Sequence, residues 1–318
     1  MGLLADWKKR TALAAGLSVM LLAIWFPAPS FASMVGLILP KDCAFSPDVK
    51  DKFSMLLREK GIMDADILLQ RPASDKVSRL NSMRKFLAIG ADVIVVWGST
   101  SITEIAGEAG RTPIVFVGVW DPVQSGIVQS LEAPGRNLTG VMGKTSTAFL
   151  IDNVIETSGA KTIGVVYHSD NVDSQAQYDE IVKTAPSKGL DLPTVDLSDV
   201  SMDQASGVLQ PAPFLYLAQG CNVESGIFEG LARMNKPAAT QNPGVTGGGV
   251  IFTLAPDMEE TIAIISDITG RILKGEKPGA IPVARNKKIN FTINVGEAQR
   301  LGVKIPFGVL NRGTEVIR

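Results

Sequence analysis

Short, almost wholly apolar runs alternate with amphipathic stretches from residue 34 onward. The first run, at residues 34–39, is typical of a strand that is buried on both faces of a sheet. Amphipathic stretches near residues 74–89 and 100–109 separate the later runs and predict helices. Strands joined by helices of about 10–15 residues indicate crossover connections and therefore a parallel sheet. Three further strands are predicted in this first series, at residues 65–70, 92–97 and 112–119.

The first predicted helix has start and stop signals. Ser46 is a favourable N-cap, Pro47 suits the first helical position, and Gly61 follows the last turn. Phe53 and Leu57 lie four residues apart and therefore on one face. This stretch is predicted to form an amphipathic helix that packs on the sheet.

The same alternation begins again after residue 144. Helices are predicted near residues 145–158, 172–188 and 223–235, with short apolar runs between them. Two consecutive series of this kind predict two similar α/β lobes. The strands of the second series are predicted at residues 162–167, 193–197, 213–218 and 238–241.

One more helix is predicted after the second series. Asp257 and Glu260 form a D-x-x-E capping box at its start, and Gly275 follows its end. Ile265 and Ile268 belong to its apolar face. Its position in the chain implies that the chain crosses back to cover the first lobe.

The first 32 residues have the pattern of an export signal. Lys8, Lys9 and Arg10 precede an apolar run at residues 11–26, and small residues occupy the two positions that a signal peptidase reads before residue 33. The apolar run has 16 residues, whereas about 20 are needed to span a bilayer. A cleavable signal peptide at residues 1–32 and a periplasmic protein are therefore predicted, and an uncleaved N-terminal anchor is the alternative.

Composition narrows the function classes. Apolar residues make up 45% of the chain and charged residues 20%, which is typical of globular lobes with large cores. The signal segment contains Asp6, Lys8, Lys9 and Arg10, so its removal leaves 28 basic and 31 acidic residues. The net charge therefore changes from −1 to −3. Without a charged tract, neither a nucleic-acid surface nor a polyanionic ligand is expected. One histidine and two cysteines exclude zinc-finger arrays and disulfide scaffolds.

Several sequence blocks occur in an order and spacing that resemble one family. Through them the chain resembles the ABC-transporter periplasmic substrate-binding proteins whose characterised relatives bind tryptophan and other aromatic amino acids. The resemblance covers nearly the whole mature chain. It implies two Rossmann-like lobes with parallel sheets joined by a three-crossing hinge, the type 1 periplasmic binding protein architecture. The blocks are residues 91–95 (ADVIV), 112–116 (TPIVF), 121–123 (DPV), 131–141 (LEAPGRNLTGV), 272–278 (ILKGEKP) and 293–306.

The resemblance also implies lobe limits and partners. Lobe 1 is expected to comprise residues 33–142 and 254–280, and lobe 2 residues 143–253 and 281–318. The expected protein is a monomeric, non-enzymatic binding protein without a cofactor. It closes over a small ligand and delivers it to a membrane permease with a cytoplasmic ATPase. A periplasmic sensor that signals to a membrane partner is the alternative.

Ligands of parallel α/β sheets bind beyond the carboxyl ends of the strands, where helix N-termini offer free N–H groups. Ser99, Thr100 and Ser101 could hold a ligand carboxylate there, and Asp121 could accept from an ammonium group. All four residues belong to types that are also ordinary helix caps. The complete set of candidate ligand contacts is Trp97, Ser99, Thr100, Ser101, Trp120, Asp121, His168, Ser169, Asn171, Cys221, Asn222 and Gln241.

The two tryptophans outside the signal segment, Trp97 and Trp120, follow neighbouring predicted strands. They either form a flat wall for a planar or apolar ligand or cap the core of the lobe. The predicted loop tips contain no arginine, and Lys41 is their one cation. This favours a zwitterionic or neutral, partly aromatic ligand over a phosphate or a dicarboxylate.

Cys43, His168 and Cys221 are all the cysteine and histidine in the chain, and all three fall in predicted cleft loops. Four interpretations stay open: ordinary thiols, a disulfide across the cleft, a soft-metal site, and a two-cysteine acid–base pair. The last rests on a faint resemblance of residues 220–222 to the cysteine loop of cofactor-independent amino-acid racemases. Neither a catalytic set nor a metal site is expected.

Overall fold

The computed structural model describes residues 32–41, 48–63, 65–218, 220, 225–245 and 247–318. Ser33–Arg318 forms one compact unit that contains two sheets of mostly parallel strands with helices between them. The predicted α/β class is therefore confirmed. Nearly all of the predicted signal peptide, together with Cys43, Ser46 and Pro47, lies outside the described residues. Within the described part of the chain, no helix has both the length and the hydropathy needed to cross a bilayer.

The first sheet contains only parallel pairs. Its strands are β1 (Met34–Ile38), β2 (Asp66–Gln70), β3 (Val93–Trp97), β4 (Ile114–Val119), β5 (Leu138–Met142) and β11 (Ala284–Arg285). Their order across the sheet is β11-β5-β4-β3-β1-β2. No strand is predicted over β5. It pairs with β4 because Gly140 leaves room for the carbonyl oxygen of Phe116, which a Cβ atom would strike.

The second sheet has one antiparallel pair, between β10 (Val250–Pro256) and β12 (Ile289–Asn294). Its other strands are β6 (Ile163–Tyr167), β7 (Thr194–Asp196), β8 (Phe214–Leu217), β9 (Ala238–Thr240) and β13 (Glu315–Ile317). The order is β13-β12-β10-β9-β8-β6-β7. All four strands predicted for the second series belong to this sheet.

Each helix that the sequence predicts is present within a few residues of its expected position, and three further α-helices of the described chain, at residues 202–209, 295–300 and 307–310, are not predicted. The helices are α1 (Val49–Glu59), α2 (Lys76–Ala88), α3 (Ser99–Ile105), α4 (Thr147–Ser158), α5 (Val172–Lys188), α6 (Met202–Leu209), α7 (Ser225–Met234), α8 (Met258–Leu273), α9 (Val295–Arg300) and α10 (Phe307–Leu310). Helix α1 begins at Val49, three residues after the predicted cap. Asp48 precedes it, and the carboxylate of Asp48 pairs with Lys52 Nζ at 3.2 Å.

Helix α8 covers the first sheet, as its place in the chain predicts. Ile262, Ile265 and Ile268 are buried in the same core cluster as Val95 and Val117 of the central strands. Each fully buried side chain of this size contributes about 1.5–3 kcal/mol to folding. At the start of the helix, Asp257 accepts the N–H of Glu260 at 2.8 Å. The Glu260 carboxylate instead accepts from the N–H groups of Lys287 and Lys288, so the predicted box is only half formed.

The chain passes between the two sheets three times: after β5, after β10 and after β11. Hydrogen bonds join these passages: Thr145 Oγ1 donates to the Leu254 carbonyl at 3.2 Å, and Asn286 Nδ2 to that of Asp257 at 2.9 Å. The lobe limits stay a prediction. Strand β10 of the second sheet runs to Pro256, past the predicted limit at residue 253, and β11 of the first sheet lies at Ala284–Arg285, past the predicted limit at residue 280.

Candidate functional site

A cavity of about 610 Å³, including its opening to solvent, lies beyond the carboxyl ends of strands from both sheets. Parallel α/β sheets bind ligands at this end. Its lining combines two indoles, several glycines and prolines, and a few polar side chains, which is the usual make-up of a small-molecule site. The lining residues are Trp97, Gly98, Val117, Gly118, Trp120, Gly143, Asp173, Gln177, Gly220, Gln241, Asn242, Pro243, Pro256, Met258 and Thr261.

The first sheet supplies the aromatic part of the cavity. Trp97 is the last residue of β3, and Trp120 follows the last residue of β4, its neighbour in the sheet. Both are buried, with 3% and 4% of their surface exposed. Trp120 Nε1 is buried and has no hydrogen-bond partner within the described part of the chain. A buried indole N–H ordinarily has an acceptor, so this donor is available to a bound molecule.

Asp173, in the first turn of α5, connects the second sheet's side of the cavity to the first. Its carboxylate accepts from Ser99 Oγ and from the backbone N–H of Trp120, the latter at 3.1 Å. The backbone N–H of Ser99 also interacts with this carboxylate. Burial raises the pKa of Asp173, while the hydrogen bonds from Ser99 and Trp120 act in the opposite direction. Ser99, one of the three residues predicted to bind a ligand carboxylate, therefore holds a carboxylate of the protein.

The loop before α5 explains how Asp173 is positioned. Asn171 is the N-cap, and its Oδ1 accepts from the N–H groups of Asp173 and Ser174, each at 3.1 Å. Ser174 Oγ in turn donates to the carbonyl of Ala218, which anchors the helix start to the end of β8. The acidic side chain thus projects from a helix N-terminus whose position the cap and the sheet both fix.

Gln241 is the hub of a buried polar network on the second sheet's side. Its Oε1 accepts from Tyr216 at 2.5 Å and from Thr147 at 3.0 Å, and its Nε2 donates to Thr145 Oγ1 at 2.7 Å. Burial raises the pKa of Tyr216 far above its ordinary value, so the hydroxyl stays a donor. The network fixes one polar wall of the cavity and connects it to the chain passage that follows β5.

The structure brings together part of the predicted site. Trp97, Trp120 and Gln241 line the cavity. Ser99 does not line the cavity, but its hydroxyl and its backbone N–H both interact with Asp173, which does. The next two residues, Thr100 and Ser101, follow in the first turn of α3, half-buried and buried respectively, without lining the cavity.

The remaining predicted residues fall elsewhere. Asp121 and Ser169 line an adjoining groove that also includes Trp120. Asp121 Oδ1 accepts from the N–H groups of the turn that follows it, at 3.0 and 3.2 Å. It therefore acts as a cap, and the structure does not place it against the cavity. His168 is buried, with a ring Nε2 that has no partner in the described chain, and Asn171 is the helix cap.

Cys43, Cys221 and Asn222 lie outside the described residues, so the disulfide and the acid–base interpretations stay predictions. Among the residues that are described, no group of three histidine, cysteine, aspartate or glutamate side chains is arranged to hold a metal ion.

Sequence reasoning missed Asp173, Gln177 and Met258. Asp173 lies two residues after the candidate loop at residues 168–171. The sequence feature that could have indicated it is an acidic side chain in the first turn of a helix that follows a strand. That feature has an ordinary interpretation, because acidic residues favour helix N-termini through the helix dipole.

The sequence matches a family described as ABC transporter substrate binding protein over residues 49–317. A curated relative, the tyrosine-binding protein of Clostridioides difficile (strain R20291), is 28% identical over 258 residues. The match covers 77% of this chain and 74% of the relative.

Solved structures show the same fold. The ABC domain from Streptococcus pneumonia in complex with L-Trp has a TM-score of 0.78 and 20% identity, covering 90% of this chain and 100% of that one. A conserved domain protein from Vibrio cholerae has a TM-score of 0.77 and 22% identity, with coverage of 90% and 100%. The ligand-free, open structure of a substrate binding protein with adhesive properties from Clostridium difficile has a TM-score of 0.65 and 21% identity, with coverage of 90% and 99%.

Proposed function

This chain belongs to the family of ABC transporter substrate-binding proteins, and from that premise we propose that it is an exported protein that closes two lobes over a small amino-acid-like or aromatic ligand. In this proposal the closed, loaded form delivers the ligand to a membrane permease driven by a cytoplasmic ATPase. The protein binds its ligand and releases it chemically unchanged.

The observation that carries the proposal is a cavity whose walls come from both sheets. A ligand in it would contact Trp97 and Trp120 on one side and Gln241 and Asn242 on the other. A molecule that touches both sides binds the closed arrangement more strongly than the open one, and so shifts the hinge equilibrium toward closure. The two indoles favour a flat or apolar ligand body, and the tyrosine-binding and L-Trp-bound relatives support the same class.

Contacts between the two sides support closure as the working motion. Asp173 bonds to Ser99 and Trp120 across the cavity. Lys144, in the passage after β5, pairs with Glu180 of α5 at 2.9 Å and lies 4.0 Å from Asp121, which follows β4. Such bonds form only when the two sides meet, so they would break on opening.

Ligand binding can be tested with the protein's own fluorescence. Trp97 and Trp120 are the only tryptophans of residues 33–318, and both line the cavity, so bound molecules should change the emission directly. We expect one or more aromatic amino acids or related amines to change the emission and to raise the melting temperature. At a ligand concentration of about a hundred times Kd, binding should add about 2.7 kcal/mol to the free energy of unfolding.

Trp97→Phe and Trp120→Phe each leave one indole, so the two variants would show which tryptophan gives the change in emission. If a panel of the twenty amino acids and the corresponding aromatic amines left both emission and melting temperature unchanged, and the native mass of the purified protein equalled the bare polypeptide, the proposed ligand class would be wrong. Deuterium at the α-carbon of an amino acid recovered from heavy water would favour the racemase alternative instead.

Export and delivery need a cellular test. The full-length chain should be recovered from the periplasmic fraction with Ser33 as its first residue, in agreement with the start of the compact unit. Uptake of the labelled ligand should fall when the gene is deleted and return when it is restored. An exported protein of full-length mass would indicate the uncleaved anchor, and unchanged uptake would favour the sensor alternative.

A further inference from the structure

The donors best suited to a ligand carboxylate are occupied by the protein. Ser99 opens α3, and its hydroxyl donates to the Asp173 carboxylate, as does the N–H of Trp120 at 3.1 Å. Asp173 comes from α5 on the opposite side of the cavity, so this contact joins distant parts of the chain. An incoming carboxylate would have to displace a carboxylate that is already bonded there.

A buried carboxylate such as that of Asp173 would ordinarily be balanced by a nearby cation. Among the described residues that line it, none is a lysine, an arginine or a histidine. The undescribed segments after residue 41 contain Asp42, Asp64 and Glu224 but no basic side chain. Lys144 follows the lining residue Gly143 but does not line the cavity itself, and its Nζ pairs with a Glu180 carboxylate oxygen at 2.9 Å. Burying an ionised carboxylate without a cation is costly, so the site as a whole favours a positively charged occupant.

The remaining polar groups of the cavity donate mainly to the protein. Gln241 Nε2 donates to Thr145 Oγ1 and Asn242 Nδ2 to the carbonyl of Gly220, both at 2.7 Å. Thr261 Oγ1 donates to a backbone carbonyl at 2.8 Å. The indole N–H of Trp120 is the buried donor without a partner in the described chain. One neutral N–H is a weak counterpart for a second carboxylate close to Asp173, because like charges in a buried site repel.

We propose that the ligand is an aromatic or apolar primary amine that carries a cation and no carboxylate, with its ammonium group bound by Asp173 and its ring against Trp97 and Trp120. This inference rests on the proposed binding function and narrows its ligand class. The apolar lining residues Val117 and Met258 suit the body of such a molecule. An amino acid with the same side chain adds a carboxylate for which the described lining residues offer no cationic partner.

Calorimetric titration of residues 33–318 with matched pairs tests this inference: tryptamine against tryptophan, and tyramine against tyrosine. The two members of a pair differ only in the carboxylate. We expect the amine to bind at least about tenfold more tightly in one pair or both, a difference of about 1.4 kcal/mol.

Asp173→Asn keeps an acceptor for Ser99 and removes the charge, so it should weaken amine binding by about 30-fold or more. The matched control is Asp152→Asn, which removes an exposed carboxylate that pairs with Lys188 at the far end of the same helix α5. It should change the Kd by less than about twofold. Thermal melts of both variants check that the fold persists. If Asp173→Asn does not fold, the paired titrations of the unaltered protein decide the question alone.

Three results would overturn the inference or a part of it. Tryptophan or tyrosine binding as tightly as the corresponding amine would refute the amine preference and leave the proposed binding function intact. Failure of all four compounds, together with no response in the wider panel, would refute both. Equal binding of the amine to Asp173→Asn and to the unaltered protein would refute the role of Asp173 in binding the ammonium group.

Discussion

Arg79 and Glu104 form a largely buried ion pair between α2 and α3, the helix that carries Ser99. Arg79 Nε and Nη2 bond to the two Glu104 oxygens at 2.5 and 2.9 Å, and Nη1 donates to the Ser74 carbonyl at 2.6 Å. The Arg79 side chain is 3% exposed and that of Glu104 22%. We expect Glu104→Gln to lower the stability of the first sheet's side of the protein markedly.

The size of the effect follows from this geometry. Removing one partner of a fully buried pair costs about 3–5 kcal/mol, because the other charge stays buried without compensation. Glu104 is partly exposed and glutamine keeps one acceptor, which reduces the expected loss to about 2–3 kcal/mol. The chain offers a matched control in Arg84 and Glu108, which pair at 3.3 Å with 57% and 42% exposure. Glu108→Gln should cost at most about 0.5 kcal/mol.

Urea unfolding followed by tryptophan emission measures both variants. Trp97 and Trp120 lie at the ends of β3 and β4, in the sheet against which α2 and α3 pack, so their emission reports the affected region. In 1 M salt the small loss of Glu108→Gln should vanish while most of the Glu104→Gln loss remains. Equal losses for the two variants, or a loss below about 1 kcal/mol for Glu104→Gln, would show that burial of this pair does not determine its contribution.

Two further predictions concern the second sheet's side. Tyr216→Phe removes the hydroxyl that bonds Gln241 at 2.5 Å and should cost about 1–2 kcal/mol, or roughly 2–6 °C in melting temperature; an unchanged melting temperature would contradict it. Burial raises the pKa of Asp196, but hydrogen bonds from Ser169 and Ser198 outweigh it and lower the pKa to about 2. The stabilisation from the ionised form is therefore present above the unfolded value of 3.8 and is lost as the pH falls through about 2. Asp196→Asn should cost about 1 kcal/mol at pH 7, allowing for solvent screening, and clearly less at pH 2, where the carboxyl of the folded protein is about half protonated; equal losses at both pH values in urea unfolding would refute this.

Local patterns predicted most of the fold. Buried strands such as β3 and β6 are continuous apolar runs, and α5 has Asn171 as its cap and Gly189 after its end, so each is visible without tertiary information. Strands β5, β10 and β12 are not predicted, although their side chains are at least partly buried. Strands β11 and β13 cannot be read locally, because they have two and three residues with half-buried or exposed side chains. They exist because a neighbouring strand offers a partner, which no local pattern records.

The candidate site shows the same division. The strand-end rule found Trp97, Trp120 and Gln241, because each follows or ends a strand whose position is readable from its own residues. It did not find Asp173, whose partner Ser99 is 74 positions away in the sequence. A pattern within one lobe identifies the edge of a sheet that binds a ligand. It does not identify which side chains of two lobes meet across that edge, or that a capping bond keeps Asp121 from the cavity.

The glycines of the cavity limit how its ligand preference could change in evolution. Gly118 has a φ of +72°, and a Cβ on Gly143 would lie 2.7 Å from the Gly118 carbonyl oxygen, so both positions resist any side chain. This part of the wall is bare backbone and cannot be reshaped by substitution. Variation in ligand size must therefore come from the side chains that line the rest of the cavity, of which Trp97 and Trp120 are the largest. A lineage with smaller residues at positions 97 and 120 would keep the same backbone and have room for a larger ring, so ligand preference can change at these side chains while the fold around them stays constant.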